Sequence, residues 1–290
     1  KYRSDAWTVI RMRLAGKPSA AAATATGTHG FSPAAYAQHV LALKPMLRPG
    51  FTVVIEPPFV VVGDEAPARV KERAESTVRW AVEKLRKDFF AKDPDRILTV
   101  WLFGGKTSYG EYTHRYFGGA PSTPYGFYTP EHHALVMNIS TGGGTLVHEI
   151  VHPFMEANLP GCPSWLNEGL GSLFEQADER DGHIIGRTNW RLAGLQRAIK
   201  GRSVPTFQTL LHTPRDAFYD EDPGTNYAQS RYLLYYLQEH GLLLRFWTEY
   251  QSDRARDPSG YTTLVHVLGE TDMVAFQRRW ESEVSKLTFP

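Results

Sequence analysis

Cysteine is almost missing from this chain: Cys162 is the only one in 290 residues. A single thiol makes no intrachain disulfide and excludes a cysteine-built zinc cluster. Long apolar runs are missing too. No stretch of about 18 apolar residues occurs, so no transmembrane helix is expected. The opening KYRSDAWTVIRMRLAG lacks an uninterrupted apolar core and does not read as a signal peptide. The chain starts without methionine, so a leader is expected to have been removed or left uncloned. Excess charge of either sign is also lacking. The formal net charge is +1, which provides no global field to recruit nucleic acid or an anionic membrane. The basic residues alternate with acidic ones, as in KERAESTVRWAVEKLRKD, the pattern of a solvated helix face. A phosphate loop is absent: GGKTS at 104–108 has Gly-Lys-Thr, but Val100 stands where G-x-x-x-x-G-K-[ST] needs its first glycine.

What is present has an order. Residues 16–30, GKPSAAAATATGTHG, are small and of low complexity and read as a linker or tail. Ser32-Pro33 then opens a helix, with serine as its cap and proline in the first turn, and Arg48-Pro49-Gly50 ends it. Two β-rich runs flank Pro57-Pro58. Residues 66–90 follow a helical pattern, 97–103 and 134–139 read as strands, and 107–117 as a short helix. From Gly142 onward the pattern is almost wholly helical, with segments near 144–158, 164–177, 189–200, 226–240, 241–251 and 271–286. The expected organisation is an N-terminal extension over 1–50 and a domain over 51–290. That domain divides into an α+β part carrying a small mixed sheet, about 51–160, and a helical part, about 161–290.

The stretch TLVHEIVHPF, 145–154, carries the chemistry. On a helix His148 and His152 lie on one face a turn apart, within reach of one ion, with Glu149 beside it. Neutral imidazole is a good zinc donor, but two histidines leave a tetrahedral site incomplete. Downstream, after the turn NLPGCP, SWLNEGLGSLFE begins a new helix with Ser164 as its expected cap. Glu168 falls one turn inside it, separated from His152 by fifteen residues. Two antiparallel helices joined by a tight turn would aim Glu168 back at the histidine pair. His148, His152 and Glu168 with one open position form a catalytic rather than a closed structural set. Pro153 cannot donate to the carbonyl of residue 149, so the ligand helix is expected to kink or end there.

HEIVH followed by WLNEGL resembles the gluzincin zinc metallopeptidases, in particular their bacterial peptidase-MA-like group, with thermolysin and the M1 aminopeptidases more distant. The resemblance spans about residues 130–240. It implies a thermolysin-like catalytic domain, one zinc ion, a peptide or protein substrate and Glu149 as general base. NYAQSRYLLYYLQEHG, 226–241, is similar to the family helix that bears a tyrosine near the zinc, which makes Tyr227 the implied oxyanion donor. Glu175, seven residues after Glu168, is a candidate to orient a ligand histidine, and Asn167 to position the helix ends. The family's edge strand, which pairs with the extended substrate, corresponds to ALVMNI, so Ala134, Val136 and Asn138 are expected to line it. HHALVMNIS lacks the glutamate by which M1 aminopeptidases hold a free amine, which favours an endopeptidase. The alternatives are an aminopeptidase or a zinc-binding pseudoprotease that serves as a partner-binding module. An exported bacterial protein is what the resemblance suggests, with the cytoplasm left open.

Other residues carry plainer readings. His132 and His133 read as loop residues, YLLYYL as helix core, and Cys162 as a turn cysteine.

Overall fold

The computed structural model describes residues 8–10 and 30–290; of 8–10 it describes the backbone alone. Of the expected linker, residues 16–29 lie outside the described residues. The described residues divide into two compact units, one of those up to 86 together with 90–157, the other of residues 87–89 and 158–290.

The first unit is built on a mixed sheet of six strands in the order β1-β2-β3-β4-β6-β5. Strand β1 is Thr8–Ile10, β2 Thr52–Glu56, β3 Phe59–Gly63, β4 Leu98–Phe103, β5 Gly126–Thr129 and β6 Ala134–Asn138. The β2–β3 and β5–β6 pairs are antiparallel, while β1–β2, β3–β4 and β4–β6 are parallel. Strands β3, β4 and β6 are buried along their whole length and read as continuous apolar runs, as strands covered on both faces do. The two short β runs around Pro57-Pro58 are one hairpin, β2 and β3, with Val53 opposite Val62.

Alternation assigns the faces. Val53, Val62, Trp101 and Val136 share register across the sheet and bury together with Tyr36 and Val40 of helix α1 (Pro33–Leu43). Residues expected to belong to an extension thus contribute to this core. Helix α1 starts as its sequence requires: the Ser32 side chain accepts from the Ala35 amide, with Pro33 as first residue. The helical stretch from 67 is continuous but uneven, with α2 (Pro67–Arg73), a π-helical segment (Ala74–Arg79) and α3 (Trp80–Asp88). Helix α4 (Lys106–Phe117) follows β4 and ends on Gly118, whose φ of 79° suits a residue without Cβ. Helix α5 (Gly144–Asn158) carries the HEIVH stretch.

The second unit is mostly helical: α6 (Ser164–Leu173), α7 (Leu192–Gly201), α8 (Phe207–His212), α9 (Arg215–Asp220), α10 (Pro223–Glu239), α11 (Leu243–Asp253), α12 (Tyr261–Leu268) and α13 (Met273–Val284). It also holds a hairpin that the helical pattern concealed, β7 (Ala177–Arg180) paired antiparallel with β8 (His183–Gly186). The reason is local. Asp181-Gly182 turns the chain with both residues at positive φ, 54° and 81°, and so overrides the surrounding helical periodicity. Close approach packs α6 on α10: a Cβ on Gly169 would stand 3.1 Å from Leu234 Cδ1 and 3.2 Å from Ser230 Cβ. Tryptophan N–H groups tie segments together, Trp165 donating to the Ser259 carbonyl before α12 and Trp280 on α13 to that of Tyr232 on α10.

Candidate metal centre

Helix α5 buries Leu146, Val147, Ile150, Val151, Phe154 and Met155, so the 3.6-residue period leaves His148 and His152 together on one face. Their ring centroids are 4.9 Å apart at an interplanar angle of 72°. The Glu149 carboxylate approaches the His152 Nε2 at 3.9 Å. His148 and Glu149 are buried, at 6% and 9% exposure, and His152 is half-buried. Pro153 neither ends nor shortens the helix, which continues to Asn158, contrary to expectation. The ring sits buried in the core face, and Phe154 behind it packs against Phe59 and Phe90 at 6.3 and 5.4 Å. Packing of that face holds a turn that lacks one backbone hydrogen bond.

Helix α6 begins one residue earlier in role than expected. Pro163 is the cap, its carbonyl accepting from the Leu166 and Asn167 amides, and Ser164 is the first helical residue. Glu168 is buried at 5% exposure. Its Oε1 accepts from the Tyr219 hydroxyl at 2.6 Å. Sequence reading passed over Tyr219, which lies on α9, a six-residue helix with no periodic signature. The turn between α9 and α10 aims both tyrosines. Asp222 takes a left-handed φ of 48°, and the buried Asn226 side chain donates to the carbonyls of Phe218 and Glu221. Tyr227 thereby stands with its ring 6.2 Å from that of Tyr219, under the Arg191 guanidinium at 5.1 Å. Burial, then the Glu168 charge, push the Tyr227 phenol far above its ordinary range, and it also bonds the Glu168 carboxylate. It is a neutral donor throughout the physiological range.

Glu175 accepts a forked pair from Arg191 at 2.8 and 2.6 Å and a third bond from Asn189 at 3.0 Å. Asn167 is half-buried on α6. Cys162 is half-buried in the turn before α6, and burial, then the Glu168 charge, push its thiol up to about 12.

The expected substrate strand needs correction. Strand β6 is not an edge: it is hydrogen-bonded on one side to β4 and on the other to β5. Ala134, Val136 and Asn138 are buried on the face that shares register with Trp101. Asn138 instead secures the approach to β5, its side chain donating to the Pro124 carbonyl and its amide to that of Tyr125. The edge strand at this end of the sheet is β5, which pairs with β6 alone among the described residues. Its four residues follow a Pro/Ser/Thr/Gly-rich loop, too short a run to announce a strand. His132 and His133 are indeed in the turn between β5 and β6, with His133 at a φ of 50°.

His148, His152 and Glu168 each offer one ligand atom, and these atoms all lie within 4.8 Å of one another. No protein-family model matches the chain, and none of the curated proteins matches it either. The functional reading therefore stands on the donor set. Two imidazoles and one carboxylate at that separation suit a divalent ion of the zinc type, with a coordination position to spare.

Proposed function

We propose that this chain is a zinc-dependent peptidase, with His148, His152 and Glu168 as metal ligands and Glu149 as general base. The observation that supports the reading is the gathering of three ligand atoms within 4.8 Å, with a fourth ionisable group, Glu149, next to His148 on the same helix. A thermolysin-like arrangement of the gluzincin kind is part of the proposal. Bound zinc supplies a charge that polarises the scissile carbonyl and acidifies a water.

The chain's own residues do the rest. Glu149 takes the proton of the attacking water and returns it to the leaving amine. Its side chain is buried at 9% exposure. Tyr227 directs a neutral hydroxyl toward the developing oxyanion. The open edge of β5, not β6, pairs with an extended peptide. Main-chain pairing of that sort gives affinity without strong sequence preference, in keeping with an endopeptidase.

The test is metal content and cleavage of a peptide mixture, read by mass spectrometry, for the wild type and Glu149→Gln. The expected result is one zinc per chain in both proteins and internal cleavage by the wild type alone, including of N-acetylated peptides. Cleavage confined to free N-termini would make it an aminopeptidase. Zinc in both with no cleavage in either would make it a metal-binding module. Absence of zinc from the wild type after reconstitution would sink the reading altogether.

A further inference from the structure

We infer that Tyr219 is a positioning residue for Glu168, holding the carboxylate in the orientation in which it meets the metal; this deepens the reading above and rests on it. Geometry on α6 and α9 carries the argument. Glu168 is 5% exposed, so water does not fix its carboxylate. The terminal torsion of a glutamate is broad and soft, and a metal ligand free to turn about it binds less tightly. The Tyr219 hydroxyl removes that freedom with a bond of 2.6 Å to Oε1, within the range for a hydroxyl donating to an ionised carboxylate.

A phenol has one proton to give, and Tyr219 gives its proton to Glu168. The ring is fixed as well, by Arg215 stacked at 5.5 Å and by Phe218 edge-on at 5.4 Å. Tyr219 on α9 thus braces the Glu168 carboxylate on α6.

The experiment measures zinc affinity by competition with a chromophoric chelator, on the wild-type chain, Tyr219→Phe, the chain with 3,5-difluorotyrosine at position 219, and His148→Ala. Thermal midpoints of the metal-free proteins and absorption spectra of the cobalt-substituted proteins are recorded alongside. Tyr219→Phe is expected to weaken zinc binding by about 10- to 100-fold. Its metal-free midpoint stays at the wild-type value, and its cobalt bands shift as the carboxylate reorients. Wild-type zinc affinity in Tyr219→Phe overturns the inference, as does a fall in metal-free stability large enough to account for the loss. If Tyr219→Phe does not fold, 3,5-difluorotyrosine at position 219 decides, since it changes the acidity of the hydroxyl with little change in size, and wild-type affinity there overturns it. Unchanged zinc binding in His148→Ala is a separate result: it defeats the assignment of the metal ligands, and the role of Tyr219 falls with it.

Discussion

Two buried ionisable side chains show how differently the same burial is used. Glu149, on the histidine face of α5, is proposed to move protons, and Glu149→Gln keeps the shape while removing the base. The expected outcome is a fall in kcat of about a hundred- to ten-thousand-fold with zinc stoichiometry unchanged, measured by steady-state peptide hydrolysis. Arg231 on α10 is fully buried at 0% exposure and has a structural task. Its guanidinium donates to the carbonyls of Ser172, Leu173 and Arg187, tying α6 and the segment after β8 to α10. Arg231→Met would leave those carbonyls without their donor. A loss of about 3 kcal/mol or more is expected, read as a lower denaturant midpoint.

At the scale of elements, tight junctions matter more than helix propensity. The second unit's hairpin ends at Gly186, where an added Cβ would stand 2.4 Å from the Leu173 carbonyl oxygen. That oxygen belongs to backbone at the end of α6 and cannot swing aside. Gly186→Ala is therefore expected to cost about 1–3 kcal/mol, seen as a lower thermal midpoint. Gln238 grips the same residue from α10, accepting from the Gly186 amide at 2.6 Å and donating to its carbonyl at 2.8 Å. Helix α5 makes the complementary point. Pro153 breaks its backbone ladder, yet the element persists because its apolar face is packed and the first histidine turn lies on the N-terminal side of the break.

For the whole molecule, two linked equilibria follow. The proposed zinc, if it binds the folded chain alone, raises stability by mass action, about 2.7 kcal/mol at a hundredfold excess over the dissociation constant. A chelator is expected to lower the thermal midpoint of the wild type but not that of His148→Ala. The second equilibrium is alkaline. Burial pushes the phenols of Tyr36 and Tyr109, both almost wholly inaccessible, up to about 12 from an ordinary 10.0. These acids hold their protons more tightly folded than unfolded. Their contribution is complete below pH 10 and is lost as pH rises from about 10 to about 12, at about 1.4 kcal/mol per unit for each group. A net fall in the denaturant midpoint between pH 9 and pH 11 is the expected measurement.

The α+β organisation, the cap at Ser32, the two β runs that became β2 and β3, and the face shared by His148 and His152 were all legible as local pattern. Each depends on neighbours within about four residues, or on alternation along one strand. Even Glu168 was legible, through WLNEGL. Other features depended on distant pairing. β5 becomes the edge only because β6 inserts between it and β4, a matter of strand order that periodicity does not encode. Tyr219 was illegible because α9 is a single short turn sequence whose side chain acquires meaning only against Glu168, 51 positions away. Pro153 misled because intrinsic preference is a local quantity, and the packing that overrules it is not. Local pattern named the candidate ligands and base. The open edge at β5 and the phenol that touches the Glu168 carboxylate came only with the folded chain, since both are relations between segments far apart in it.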